Sequence, residues 1–141
     1  MTITSKQCLA RYGSPVHETS MIIWDVPDVM EVGAIPRRIY CNRELQPVLA
    51  KAIVNLITRK VINQLKTWDG CFNIRQMRGG SNASLHSWGL AIDVNASWNT
   101  LGSVGNMTPA FVRCFTDAGF EWGGDWDRPD PMHFQLAEFP E

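Results

Sequence analysis

The chain has 141 residues, 45% of them apolar and 19% charged, with a formal net charge of −1. That length suits one globular domain able to bury a core, and the composition excludes intrinsic disorder. A near-neutral balance without a basic run excludes electrostatic capture of nucleic acid or an anionic membrane, and no apolar stretch approaches the roughly 20 residues that span a bilayer.

The opening MTITSKQCLARYGSP lacks the apolar region of a secretory signal, so synthesis in the cytoplasm is expected. Up to Pro36 the chain is punctuated by Pro15, Pro27 and Gly33, which predicts turns with one short strand at Met21–Val26. A long helix is expected next, over QPVLAKAIVNLITRKVINQLKTW. There Leu49, Ile53, Leu56, Ile57, Val61 and Leu65 recur every three or four positions, Pro47 sits in the first turn, and Asp69-Gly70 stops the run. LAIDV then alternates Leu90, Ile92 and Val94 against Ala91 and Asp93, a strand pattern. A second helix is expected over 108–118, with Thr108 as cap, Pro109 first and Gly119 at the stop. Finally, MHFQL alternates Met132, Phe134 and Leu136 against His133 and Gln135. Asp93 and His133 thus stand on strand faces turned away from the core. Cys8, Cys41, Cys71 and Cys114 form no C-x-x-C pair and read as free, buried thiols.

SLHSWGLAIDVN, from Ser84 to Asn95, places His86 and Asp93 seven positions apart. Shared zinc coordination needs their Cα atoms within about 10–12 Å. A continuous strand would separate them by roughly 23 Å and, seven being odd, put them on opposite faces. A helix would bring them within about 10.5 Å, but Gly89 and the alternation after it oppose one. A bend at Ser87-Trp88-Gly89 is the workable geometry, with glycine supplying the freedom to turn. In WDRPDPMHF, Asp130 lies three residues before His133, fixed between Pro129 and Pro131, as suits a carboxylate that takes a proton from water. His86, Asp93 and His133 would be three protein ligands with a fourth position open, the pattern of catalytic zinc.

These two blocks resemble the zinc D-alanyl-D-alanine carboxypeptidase family, which includes the L-alanyl-D-glutamate endopeptidases of phage endolysins. Its members carry a Ser-x-His-x-x-Gly-x-Ala-x-Asp block and a later Asp- or Glu-x-x-His block. The resemblance is dense from about Tyr40 to Gln135 and weak before Ile35, and many relatives have glutamate where this chain has Asp130. It implies a small α+β fold in which an antiparallel sheet carries the zinc and helices pack on one face. It implies His86, Asp93 and His133 as Zn²⁺ ligands, Asp130 as the catalytic carboxylate and Ser84 near the substrate. It also implies an upstream arginine that holds substrate, either Arg75 or Arg78, and peptidoglycan stem peptides as substrate, cut as a D-Ala-D-Ala carboxypeptidase or an L-Ala-D-Glu endopeptidase. Without an export signal or wall-binding module, the expectation is a phage lysin acting on the wall after release or from the virion, as a single domain over 1–141.

Other residues carry plainer readings. His17 reads as a surface histidine, and Glu121, Asp125 and Asp127 as solvated loop carboxylates beside Gly123 and Gly124. Trp88 and Trp122 read as packing residues, while Trp126 stands evenly between packing and lining a peptide groove. Two rival functions stay open: a non-catalytic phage structural or wall-binding module stapled by zinc, and a cytoplasmic dipeptidase on free D-Ala-D-Ala. Partner and oligomeric state beyond the wall peptide are not written in the sequence.

Overall fold

In a computed structural model, which describes residues 2–76 and 82–141, alternation and amphipathic spacing sort the described residues into three α-helices and two antiparallel sheets. Helix α1 (Ser5–Tyr12) opens with a capping box. The Thr4 hydroxyl accepts the Gln7 N–H at 3.2 Å, and the Gln7 side chain accepts the Thr4 N–H at 2.9 Å, so two end donors are satisfied at once. This helix was not expected from the sequence reading, although Thr4 and Gln7 have the spacing of the motif. Its buried residues are Cys8 and Tyr12. Strands β1 (Met21–Asp25) and β2 (Arg38–Asn42) pair antiparallel in a two-stranded sheet.

Helix α2 (Gln46–Thr58) is shorter than the sequence pattern predicts. Lys60 adopts the left-handed conformation with φ 60°. Around it the Lys60 N–H bonds the Ile57 carbonyl at 3.1 Å and the Val61 N–H bonds the Leu56 carbonyl at 3.0 Å. That pair of bonds is the Schellman closure, here with lysine where glycine usually sits. Val61 and Leu65 kept the helical spacing, but the backbone had already turned. A 3₁₀ turn at Ile62–Gln64 follows, and then strand β3 (Trp68–Gly70), where the sequence reading placed the helix end.

The second sheet is built from β3, β4 (Ala91–Val94), β5 (Phe120–Trp122) and β6 (His133–Leu136), ordered β3-β4-β6-β5 with every neighbouring pair antiparallel. Helix α3 (Pro109–Thr116) follows the expected caps: the Thr108 hydroxyl accepts the Phe111 N–H at 3.2 Å, and Gly119 turns the chain with φ 119°. Phe115 of α3 stacks on Phe134 of β6 with ring centroids 4.3 Å apart. Leu49, Ala52, Ile53 and Leu56 of α2 are buried in the same core. Phe134 therefore faces the helices, and His133 and Gln135, one step away on either side, face the opposite way. The expected α+β fold is present. The face that carries Asp93 and His133 is turned away from the helices, as expected, yet it is buried: Asp93 is 7% exposed and His133 4%.

Candidate metal centre and cleft

Residues Asp93 and His133 are direct cross-strand partners in the β4–β6 ladder. Side chains at such a pair start only about 4.5–5.5 Å apart at Cβ, so register alone brings carboxylate and imidazole together. His86 arrives from the 3₁₀ turn Leu85–Trp88, whose first residue is preceded by Ser84 as cap; the Ser84 hydroxyl accepts the His86 N–H at 3.3 Å. Gly89 then bends the chain with φ 66°, as anticipated. A side chain there would meet the Met21 thioether at 2.6–2.7 Å and the Asn42 backbone nitrogen at 2.8 Å, so both conformation and space demand glycine.

His86 Nε2 lies 3.2 Å from Asp93 Oδ2, and His133 Nδ1 lies 3.4 Å from Asp93 Oδ1. One donor atom from each residue falls within a group no wider than 4.8 Å. Two ligands on a tetrahedral zinc with bonds near 2.1 Å are separated by about 3.4 Å, close to the distance from each imidazole to its nearer Asp93 oxygen. The ring protons point to the same conclusion. His86 Nδ1 is 2.6 Å from the Cys71 carbonyl, which can only accept, so the ring carries a proton at Nδ1, and in its neutral form it offers a lone pair at Nε2. That buried Nε2 has no hydrogen-bond partner among the described residues, and it faces a carboxylate oxygen that is also an acceptor. A neutral His86 and the Asp93 carboxylate would thus turn two acceptors toward each other in a buried place, an arrangement that suits a cation between them. His133 mirrors this arrangement: its Nε2 is 2.8 Å from Gln135 Oε1, leaving Nδ1 toward Asp93. Burial pushes the Asp93 carboxyl up, but His133 and His86, as protonated rings that donate to it, outweigh burial and hold it well below the usual carboxylate range; a bound cation would take the place of those protons. The donor set of two neutral imidazoles and one carboxylate therefore fits a divalent metal of the zinc type.

Asp130 is 8% exposed and lines the same cleft as His133. Its backbone is clamped on both sides, its N–H bonding the Gly123 carbonyl at 2.9 Å and its carbonyl accepting the His133 N–H at 3.0 Å. The cleft has a volume of about 660 Å³, within the usual range for sites that hold a small ligand or peptide. Arg75 and Ser84 also line it, and Arg75 Nη2 stands 3.8 Å from Asp93 Oδ2. Arg78, the other arginine considered, lies outside the described residues. Trp126 is in the cleft wall, its ring centroid 5.2 Å from that of His133, so the groove-lining reading holds for it. Trp88 is buried, and Trp122 stacks on Phe134 with its Nε1–H donated to the Pro131 carbonyl. His17 is exposed, and all four cysteines are free and buried. Asp125 and Asp127 are exposed as expected but line the cleft. Glu121 departs from the loop reading: it lies in β5 and its Oε2 accepts from Trp126 Nε1 at 2.6 Å. Gln135 and the Cys71 carbonyl were missed altogether. Gln135 had a signal, since position i+2 on a strand shares the face of His133.

Residues 78–136, which include His86, Asp93, Asp130 and His133, match the model of the D-alanyl-D-alanine carboxypeptidase family. The resemblance read from the two blocks holds. Among solved structures the chain is similar to the L-Ala D-Glu endopeptidase ChiX of Serratia marcescens, with 22% identity, a TM-score of 0.44, and coverage of 68% of this chain and 80% of that one. No curated protein matches the chain. The carboxypeptidase-family stretch begins after β3, so α1, the β1–β2 sheet and α2 lie outside it.

Proposed function

We propose that this chain is a zinc-dependent peptidase that hydrolyses a peptide bond in peptidoglycan stem peptides. The observation that carries the reading is the buried His86–Asp93–His133 donor group at a cleft lined by Asp130, within a stretch that matches a carboxypeptidase family.

His86 through Nε2, His133 through Nδ1 and Asp93 would hold the ion. When bound, a divalent metal acidifies water and polarises a carbonyl. Asp130, held rigidly by its two backbone bonds, takes the proton of the attacking water and then passes it to the leaving amine. The Arg75 guanidinium, pointing into the cleft region beside Asp93, grips a substrate carboxylate, for which its planar fork is suited. Ser84 adds a hydrogen bond at the cleft edge while capping the turn that presents His86. Three protein ligands, as His86, Asp93 and His133 would be, are the number that catalytic zinc sites use, and this count supports the catalytic reading over a zinc staple. The proposal takes the whole chain as one catalytic domain and extends to a phage lysin acting on a host wall, the class that the sequence resembles.

Digestion of purified sacculi followed by mass spectrometry of the muropeptides tests it. New termini are expected, with loss of activity on chelation and recovery on adding zinc. A new terminal D-Ala would assign the carboxypeptidase bond, and a new amino-terminal D-Glu the endopeptidase bond. Absence of new termini from protein holding one zinc per chain would refute the reading in favour of the staple.

A further inference from the structure

A wall of the cleft comes from a part of the chain that the family match does not reach. Thr2, Ile3, Thr4 and Ser5 line the cleft together with Trp126, Asp130 and His133. Ile3 anchors this segment in the core, being only 6% exposed. The capping box at Thr4 fixes where the segment becomes α1, and the far end of α1 is pinned by the Trp88 Nε1–H bond to the Gly13 carbonyl at 2.9 Å. Across the cleft edge, a single carboxylate oxygen gathers two structures. Glu121 Oε2 accepts from the Thr2 hydroxyl at 2.9 Å and from Trp126 Nε1 at 2.6 Å. Trp126 in turn lies against the His133 ring with an interplanar angle of 48°. An acceptor that is charged makes both bonds stronger than neutral ones.

We propose that Glu121 is a positioning residue that latches the segment Thr2–Ser5 to Trp126, making this segment a side wall that selects which peptidoglycan fragments enter the cleft. The inference rests on the peptidase reading above. A fixed wall admits a single stem peptide more readily than a cross-linked pair, whose second strand needs width beside the first. Glu121 is not one of the metal donors, and its side-chain partners are Thr2 and Trp126, so its loss alters entry and not the chemistry.

The test compares kcat/KM on an uncross-linked stem peptide and on a cross-linked muropeptide dimer for wild type, Glu121→Ala, Glu121→Gln and Thr2→Val. Glu121→Ala removes both bonds, and loss of the one that ties Thr2 to the latch is expected to shift the preference toward the dimer by about tenfold, the size of one charge-assisted hydrogen bond, mainly through KM. Its kcat on the stem peptide and its zinc stoichiometry should stay within about twofold of wild type. Thr2→Val, at an exposed site, should shift preference the same way, and Glu121→Gln, which keeps an acceptor oxygen, should stay closer to wild type. Amide exchange over residues 2–5 should quicken in Glu121→Ala and Thr2→Val. An active wild type with unchanged preference and unchanged exchange in both variants would overturn the latch alone. A wild type that cleaves neither substrate would overturn the peptidase reading and the selectivity with it.

Discussion

Replacing Gln135 by Leu isolates the proton arrangement on which the metal centre depends. Gln135 is 3% exposed, and its Oε1 holds His133 Nε2 at 2.8 Å. Leucine fills nearly the same volume but accepts nothing. His133 then has two choices. It keeps the proton at Nε2 and leaves a buried donor without a partner, at a cost of about 1–3 kcal/mol. Otherwise it moves the proton to Nδ1, the atom that faces Asp93, and ceases to be a ligand. Losing such an outer partner typically weakens metal affinity by about 10–100-fold, which is about 1.4–2.8 kcal/mol. The two estimates agree. A competition titration against a chromophoric zinc chelator reads the affinity directly, with circular dichroism to verify the fold. Gln135→Glu, which retains an acceptor and adds charge, should bind zinc at least as tightly as wild type. An affinity for Gln135→Leu within twofold of wild type would refute the claim that Gln135 sets the His133 tautomer. His86 offers no equivalent experiment, because its partner is the backbone carbonyl of Cys71.

Asp130→Asn should keep one zinc per chain while lowering kcat by about 10²–10⁴, the usual worth of a general base; near-normal turnover on muropeptides would remove Asp130 from the mechanism. Gly89→Ala should cost at least about 2 kcal/mol in urea unfolding, from a left-handed backbone and a Cβ placed 2.8 Å from the Asn42 nitrogen; unchanged stability would contradict the packing described there. Burial pushes the Cys8 and Cys41 thiols up to about 12, so the folded chain keeps their protons where the unfolded chain has released them. Stability from these groups is therefore full below about pH 8.5, the ordinary thiol value, and is lost as pH rises toward 12. The urea midpoint should fall above pH 9, and a thiol reagent at pH 8 should label the native protein far more slowly than the unfolded one; fast labelling of native protein would refute this.

The ligand positions were legible because their chemistry is written in local pattern. The alternation of LAIDV and MHFQL put Asp93 and His133 off the core face, and Gly89 marked the bend that returns His86 to them. The burial of that face was not legible, since what covers it comes from distant parts of the chain: the turn at Leu85–Trp88 and the segment before α1. The end of α2 was hidden for a different reason. Its closure uses Lys60 in a left-handed conformation, where the sequence offers none of the glycine that announces such a stop. Helix α1 was legible and missed, because Thr4 and Gln7 carry the capping-box spacing without a strong apolar run behind them. Glu121 was misplaced because its neighbours Gly123 and Gly124 suggested a loop, whereas Phe120 and Trp122 bond it into an edge strand beside β6.

The β4–β6 ladder sets Ile92 opposite Phe134 and, one step along, Asp93 opposite His133. Sliding one strand by a single residue would drive a carboxylate into the hydrocarbon interior and lift a phenyl ring into the ion's place. Folding thus proofreads the metal-binding geometry: a molecule whose greasy layer has closed correctly has, by the same act, brought its imidazole and carboxylate donors into apposition. Damage to that layer should consequently silence molecules one by one, leaving the survivors at full strength, and should not dim the entire population evenly.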